Sequence, residues 1–140
     1  MLENLAHINW VAVVVAGVES FFLGAIWYMP LFGKRWVALH GYSEDKVKEM
    51  QAKMKPAVFF GGMIASYVAA ALALAFLVVA LDLRQWQDGA TLAAAVWLIV
   101  AACALTAHLA SERHNGLYAI DTGFYLVFLV LTGVVLTLWR

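Results

Sequence analysis

One carboxylate dominates the chemistry open to this chain. Glu19 is the only acid between Asn4 and Pro30, in a stretch that is otherwise almost wholly apolar. It lies twelve residues beyond His7, about 18 Å along a helix and so near the middle of a hydrocarbon layer about 30 Å thick. An ionised carboxylate at that depth costs at least about a few kcal/mol, so Glu19 is expected to face the bundle interior or a subunit interface. A carboxyl that gains and loses a proton there is what a proton-coupled carrier uses. Ser20 beside it, with Ser66 and Tyr67 of the following span, are the candidate partners in proton or substrate binding. The plainer expectation is one interhelical hydrogen bond from Glu19 to Ser66 or Tyr67 that only fixes packing.

A second polar group gathers late in the chain. His108 and Glu112 stand four apart and share a helix face, Arg113 and His114 follow, and Asp121 lies four residues into the last apolar run, about 6 Å below its boundary. These residue types either ligate a divalent cation or relay protons toward Glu19. No second histidine stands at the spacing of a strong metal motif, and Arg113 would repel a cation, so no metal and no cofactor is assigned. The competing expectation pairs Asp121 with Arg113 and gives His108 a backbone carbonyl. A Gly-rich phosphate loop, a nucleophile elbow and a haem-attachment cysteine pair are all missing, so an enzyme has no positive support. Cys103, the single cysteine, sits inside an apolar run as a packing residue.

The elements that must position these groups are set by composition. Of 140 residues 65% are apolar and 13% charged, about half the charge of a soluble domain. The chain is an integral membrane protein, and the expectation is an all-α, four-helix transmembrane bundle forming a single domain over residues 1–140. Apolar runs at about 7–29, 57–81, 89–110 and 117–139 are each long enough to span. Pro30, Pro56, the segment Asp82 to Asp88 and the segment Ser111 to Gly116 separate them. The start at Met1 has no lysine or arginine before the first run, which is expected to be a retained span and not a cleaved signal. Lys34, Arg35, Lys46, Lys48, Lys53, Lys55 and Arg113 fall on one side, and Arg84 and Arg140 on the other. The positive-inside rule then puts both termini outside and loop 30–56 in the cytoplasm of a bacterial inner membrane. The formal net charge is zero, so no global field recruits nucleic acid.

Loop 30–56 carries its own pattern. Ser43 can cap a helix with Glu44 and Asp45 in its first turn, and Val47, Met50 and Met54 recur at helical spacing. Lys46, Lys48, Lys53 and Lys55 flank that stripe, as in a short amphipathic helix lying on the membrane with lysines toward anionic headgroups. Proline and glycine after the first span imply a sharp turn that lays Phe32 and Trp36 along the interface. Small residues recur every four positions at Ala12, Ala16, Ser20 and Gly24, and again at Gly61, Ala65, Ala69 and Ala73. Such ridges let helices approach closely, within one chain or between copies of a homo-oligomer.

The same residues carry a family resemblance. The opening Ile8-Asn9-Trp10-Val11-Ala12-Val13, the segment from Gly24 through Trp27-Tyr28-Met29-Pro30-Leu31-Phe32-Gly33 to Trp36, and the ending from Ile120-Asp121-Thr122-Gly123 to Trp139 resemble the small bacterial membrane proteins grouped as domain of unknown function 1761. The resemblance implies four spans and assigns no activity; the acid at Asp121, where the family pattern has an asparagine-like residue, is a departure. In architecture alone the chain is similar to small multidrug resistance transporters, from which the long basic loop and the Asn-Trp opening separate it. The expected function is a small proton-coupled carrier or permeation protein acting through Glu19. A non-transporting scaffold or accessory subunit that binds lipid or protein is the alternative.

Overall fold

Asn9 decides where the first span begins. Its side-chain oxygen accepts the Ala12 amide at 3.1 Å, satisfying one of the donors that a helix start leaves free. Helix α1 therefore runs Trp10–Ile26, preceded by a 3-10 turn over Leu2–His7. The computed structural model describes residues 2–140, and the reading made at Met1 lies outside them. Pro30 has no amide to donate, and the chain passes it in a single wide π-helical turn over Trp27–Leu31. The Phe32 amide closes that turn on the Trp27 carbonyl at 2.9 Å. Helix α2, Gly33–Leu39, then turns back against the bundle. A β-carbon at position 33 would stand 2.6 Å from the Tyr28 carbonyl oxygen, so only glycine fits this corner.

Loop 30–56 thus holds two helices where one was expected. Gly41, at φ +70°, turns the chain between them. Ser43 accepts the Lys46 amide at 3.2 Å and starts helix α3, Glu44–Lys53. Helix α4, Pro56–Ala80, has proline in its first turn, where the missing donor costs nothing. Helices α5, Trp86–Ala110, and α6, Asn115–Leu138, complete the chain. The described residues are all-helical without strand, and the segments Trp10–Leu31, Pro56–Ala80, Trp86–Ala110 and Asn115–Leu138 are long and apolar enough to cross a membrane. Four crossings put both termini at one end of the bundle. The other end, with α2, α3 and the α5–α6 turn, is here called the α3 end.

Helix α6 is the hub. It packs against α1, α4 and α5, while α1 also packs on α4. The α5–α6 contact is the closest, because Gly89 and Gly133 meet backbone to backbone and a β-carbon at position 133 would lie 3.0 Å from that of Ala93. Val68 of α4 presses into the space left by Gly17 of α1. Phe124, 1% exposed, anchors the α3-end half of the core. Rings of Tyr28, Tyr67 and Phe128 surround it at centroid distances of 5.4, 5.9 and 5.5 Å. At the terminal end Asn9 donates to the Trp139 carbonyl at 3.1 Å, and Arg140 binds Asp82 at 2.8 Å. Asp82 and Glu112 take left-handed backbone angles, φ 52° and 51°, in the two tight turns that reverse the chain between spans.

Two outcomes follow. Gly133→Leu is expected to separate α5 from α6 and cost about 1–3 kcal/mol, the usual range for overpacking, measurable as earlier unfolding in a denaturing-detergent titration. Hydrogen bonds from Arg84 and then Arg140 hold the Asp82 carboxyl below its ordinary value of 3.8. Because the folded value is the lower one, the contribution of Asp82 is complete above 3.8 and is lost as pH falls through the depressed value. Arg140→Gln should move the Asp82 titration upward by NMR, and amide exchange at the end of α6 should then accelerate at a higher pH than in the parent.

Candidate functional site

Ser20, Ser66 and Tyr67 do not gather around Glu19. Ser20 is buried, with its hydroxyl bonded to the Ala16 carbonyl at 2.8 Å and lying 3.4 Å from the Thr132 hydroxyl of α6. Successive helical residues turn by about 100°. With Gly17 against α4 and Ser20 against α6, Glu19 is carried to the exposed outer surface of α1, among Val11, Val15 and Phe22. It does not face the interior of the bundle. Ser66 is likewise exposed on α4 and returns its hydroxyl to the Gly62 carbonyl at 2.8 Å. Tyr67, one position on, turns inward onto Phe124 and Phe128.

The second group behaves differently. Asp121 lies in the second turn of α6, and one of its oxygens, Oδ1, accepts two hydrogen bonds. The Tyr28 hydroxyl donates at 2.8 Å and the Trp36 indole at 3.2 Å. The π turn at Pro30 aims Tyr28, and the corner at Gly33 brings α2 back so that Trp36 reaches the same oxygen. Trp27 completes the junction by donating to the Ile120 carbonyl at 3.1 Å, with Gly123 leaving space for its ring. Phe32 and Trp36 therefore do not merely lie along the interface; the indole of Trp36 binds into the bundle.

Asp121 Oδ2 takes no hydrogen bond from the described residues, and the side chain lines a cavity of about 310 Å³ between α5 and α6 at the α3 end. His108, Ser111, Arg113, Tyr118 and Tyr125 share that cavity. Most of their polar atoms are already engaged. His108 Nε2 lies 3.1 Å from the Asn115 side-chain oxygen, Ser111 donates to the His108 carbonyl at 3.0 Å, and Tyr118 donates to the Ala101 carbonyl at 2.9 Å. Among the described residues the groups left over are Asp121 Oδ2, the Arg113 guanidinium, the Tyr125 hydroxyl and His108 Nδ1. Asp121 and Arg113 line one cavity without pairing with each other, and His108 bonds a side-chain amide; both differ from the pairings expected of them. An anion and a cation held apart in one cavity can grip the two ends of a zwitterion.

His108 and Asp121 are thus brought together, and Glu112 is not. Glu112 is the left-handed residue of the α5–α6 turn and its side chain is exposed. His114 is occupied in accepting the Gly116 amide at 2.9 Å. Among the described residues no three His, Cys, Asp or Glu side chains gather closely enough to hold a metal ion. Further in, Tyr125 also borders an apolar cavity of about 350 Å³ that runs between α4, α5 and α6 past Leu74, Val96 and Phe128. Reading the sequence did not single out Tyr28, Trp36 or Tyr125 as ligands. The available signal was Asp121 itself, since an acid inside a span requires donors, and aromatic O–H and N–H groups are what this end of the bundle offers.

Three membrane-crossing helices packed on a fourth, α6, with a carboxylate-bearing cavity at one end, define a small multi-pass helical membrane protein. The chain belongs to the family described as Protein of unknown function (DUF1761), which matches residues 11–137. No curated protein and no solved structure matches it. Tyr28→Phe removes the shorter of the two bonds to Asp121 and is expected to cost about 1.5–3 kcal/mol, the range for hydrogen bonds to charged groups, seen as a lowered unfolding midpoint in detergent.

Proposed function

We propose that this protein is a small solute carrier or permeation protein whose working carboxylate is Asp121 and not Glu19. The observation that carries the reading is Asp121, one oxygen of which takes no hydrogen bond from the described residues, lining a cavity that is also lined by Arg113, which forms no ion pair among them. Asp121 would hold an ammonium group, Arg113 a carboxylate, and Tyr125 would stand between this vestibule and the apolar cavity beyond it. The solute class is therefore a small zwitterion entering from the α3 end, which the excess of lysine and arginine there assigns to the cytoplasm.

The protein would work as a homo-oligomer. Glu19 is an ionisable group at mid-depth on an otherwise apolar outer face, and a neighbouring chain is a better partner for it than hydrocarbon. The outward Glu19 also favours a second reading, in which the chain is an accessory subunit that transports nothing and presents this face to another protein.

Binding distinguishes them. A series of ω-amino acids of increasing length, with butylamine and butyrate as their singly charged halves, is titrated onto purified protein by calorimetry. One amino acid should bind more tightly than either half. Asp121→Asn and Arg113→Gln should each weaken it by about ten- to a hundredfold, as loss of a charge-assisted hydrogen bond implies. Uptake of the same compound into proteoliposomes should fall in parallel. Equal affinity in parent and Asp121→Asn would sink the carrier reading, and binding of no member of the series would leave the accessory one.

A further inference from the structure

Helix α3 stands away from the bundle. It packs closely on none of the four spans, and a cleft lies along each of its flanks. The cleft toward α4, about 540 Å³, is walled by apolar or aromatic groups: Trp36 from α2, Val47, Met50 and Met54 from α3, and Phe59 from the first turn of α4. Lys53 borders it at the exposed end of α3, and Lys34 and Lys48 border the cleft on the other flank. Glu49 already binds both Lys46 and Lys53, while Lys34, Arg35, Lys48 and Lys55 form no ion pair among the described residues. Segment 30–56 carries six Lys and Arg against three Asp and Glu, a surplus of three positive charges.

The cleft therefore runs from the first turn of a helix long and apolar enough to cross a membrane to a surface with uncompensated positive charge. An apolar gap at that level does not stay empty, since hydrocarbon chains are the surrounding solvent. The molecule whose chemistry changes in the same direction over the same distance is an anionic phospholipid. We infer that α3 is a clamp for one anionic phospholipid, with an acyl chain lying between α3 and Phe59 and the headgroup held by Lys53, while Lys48 adds positive charge from the other flank of α3. Glu49 offsets only one of the two charges of Lys46 and Lys53, so their cluster stays positive, and Lys55 adds a further charge just before α4. The charge of the headgroup selects the lipid and the apolar cleft fixes it in place.

Native mass spectrometry of the full chain, loaded with equal phosphatidylglycerol and phosphatidylcholine of identical acyl chains, tests this. One phosphatidylglycerol per chain should survive delipidation, with at least fivefold preference over phosphatidylcholine. The double variant Lys48→Glu, Lys53→Glu should erase the preference, and Val47→Trp, which fills the cleft, should lower retention of both lipids. Arg113→Gln, remote from the cleft, should leave retention unchanged, so a failure of the proposed solute site would not be confused with a failure here. A measurement that needs no cleft-filling variant uses brominated acyl chains, which quench tryptophan on contact. Brominated phosphatidylglycerol should quench the parent more than brominated phosphatidylcholine does, and Trp36→Phe should remove the difference. Equal retention of the two lipids in the parent, or equal quenching by them, would overturn the clamp and leave a non-selective lipid annulus.

Discussion

Hydrocarbon offers no hydrogen bond, and that single deficit organises this bundle. Every polar group inside a span must find its partner within protein. Ser20, Ser66, Thr91, Thr106, Thr122 and Thr137 each return a hydroxyl to the carbonyl four residues earlier, which satisfies them without a neighbouring helix. The larger donors cannot do so and must reach across. Trp27 and Trp97 both donate to carbonyls of α6, and Tyr118 of α6 donates to a carbonyl of α5. These bonds, together with the glycine contact between α5 and α6, explain why α6 is the hub. It supplies or receives each of them, while α4, which has none, is held to α1 and α6 by shape alone.

The spans were legible because their signal is length and apolarity, which act one helix at a time. The end at Pro56 was legible for a similar local reason, since proline geometry depends on adjacent residues, whereas the cap at Asn9 was not read and the first span was expected to begin at about residue 7. Helix α3 could be read from Ser43 and the stripe Val47, Met50, Met54. Helix α2 could not, because at seven residues it is too short to display a period and it has no side-chain cap. The orientation of Glu19 was also beyond local reading. Its depth follows from counting, but its azimuth is set by Gly17 meeting Val68 and by Ser20 meeting Thr132, contacts between residues far apart in the chain.

The same distinction explains the site. His108 and Asp121 could be associated because a tight turn between two antiparallel helices returns them to one level. Tyr28 and Trp36 are 93 and 85 residues away from Asp121 in sequence. Nothing in their spacing separates them from an interfacial aromatic belt, and in a belt their polar atoms would point to water. The π turn at Pro30 changes that outcome by rotating the chain just before α2, so that two aromatic donors converge on one carboxylate oxygen and leave the other free. A substitution at Pro30 or Gly33 would therefore disturb Asp121 without touching it.

Trp36 joins the two ends of this argument. Its indole nitrogen holds Asp121, and its ring forms part of the wall against which α3 leaves its cleft. The ring also lies tilted against His40 and near Tyr42, centroids 4.0 and 6.4 Å away, so the short connection from α2 into α3 is built on it. An occupant that draws Asp121 toward the cavity lengthens the bond to Trp36, and an occupant of the cleft presses on the same ring from the other side. Two ligands that bear on one side chain have a free energy of interaction, and that interaction is reciprocal by thermodynamic necessity. Its sign depends on whether the position of the indole that suits the lipid also preserves the bond to Asp121. Because the indole can serve the carboxylate only while α2 stays folded against α6, anything that steadies α2, as the proposed lipid at α3 would, keeps one oxygen of the carboxylate fixed.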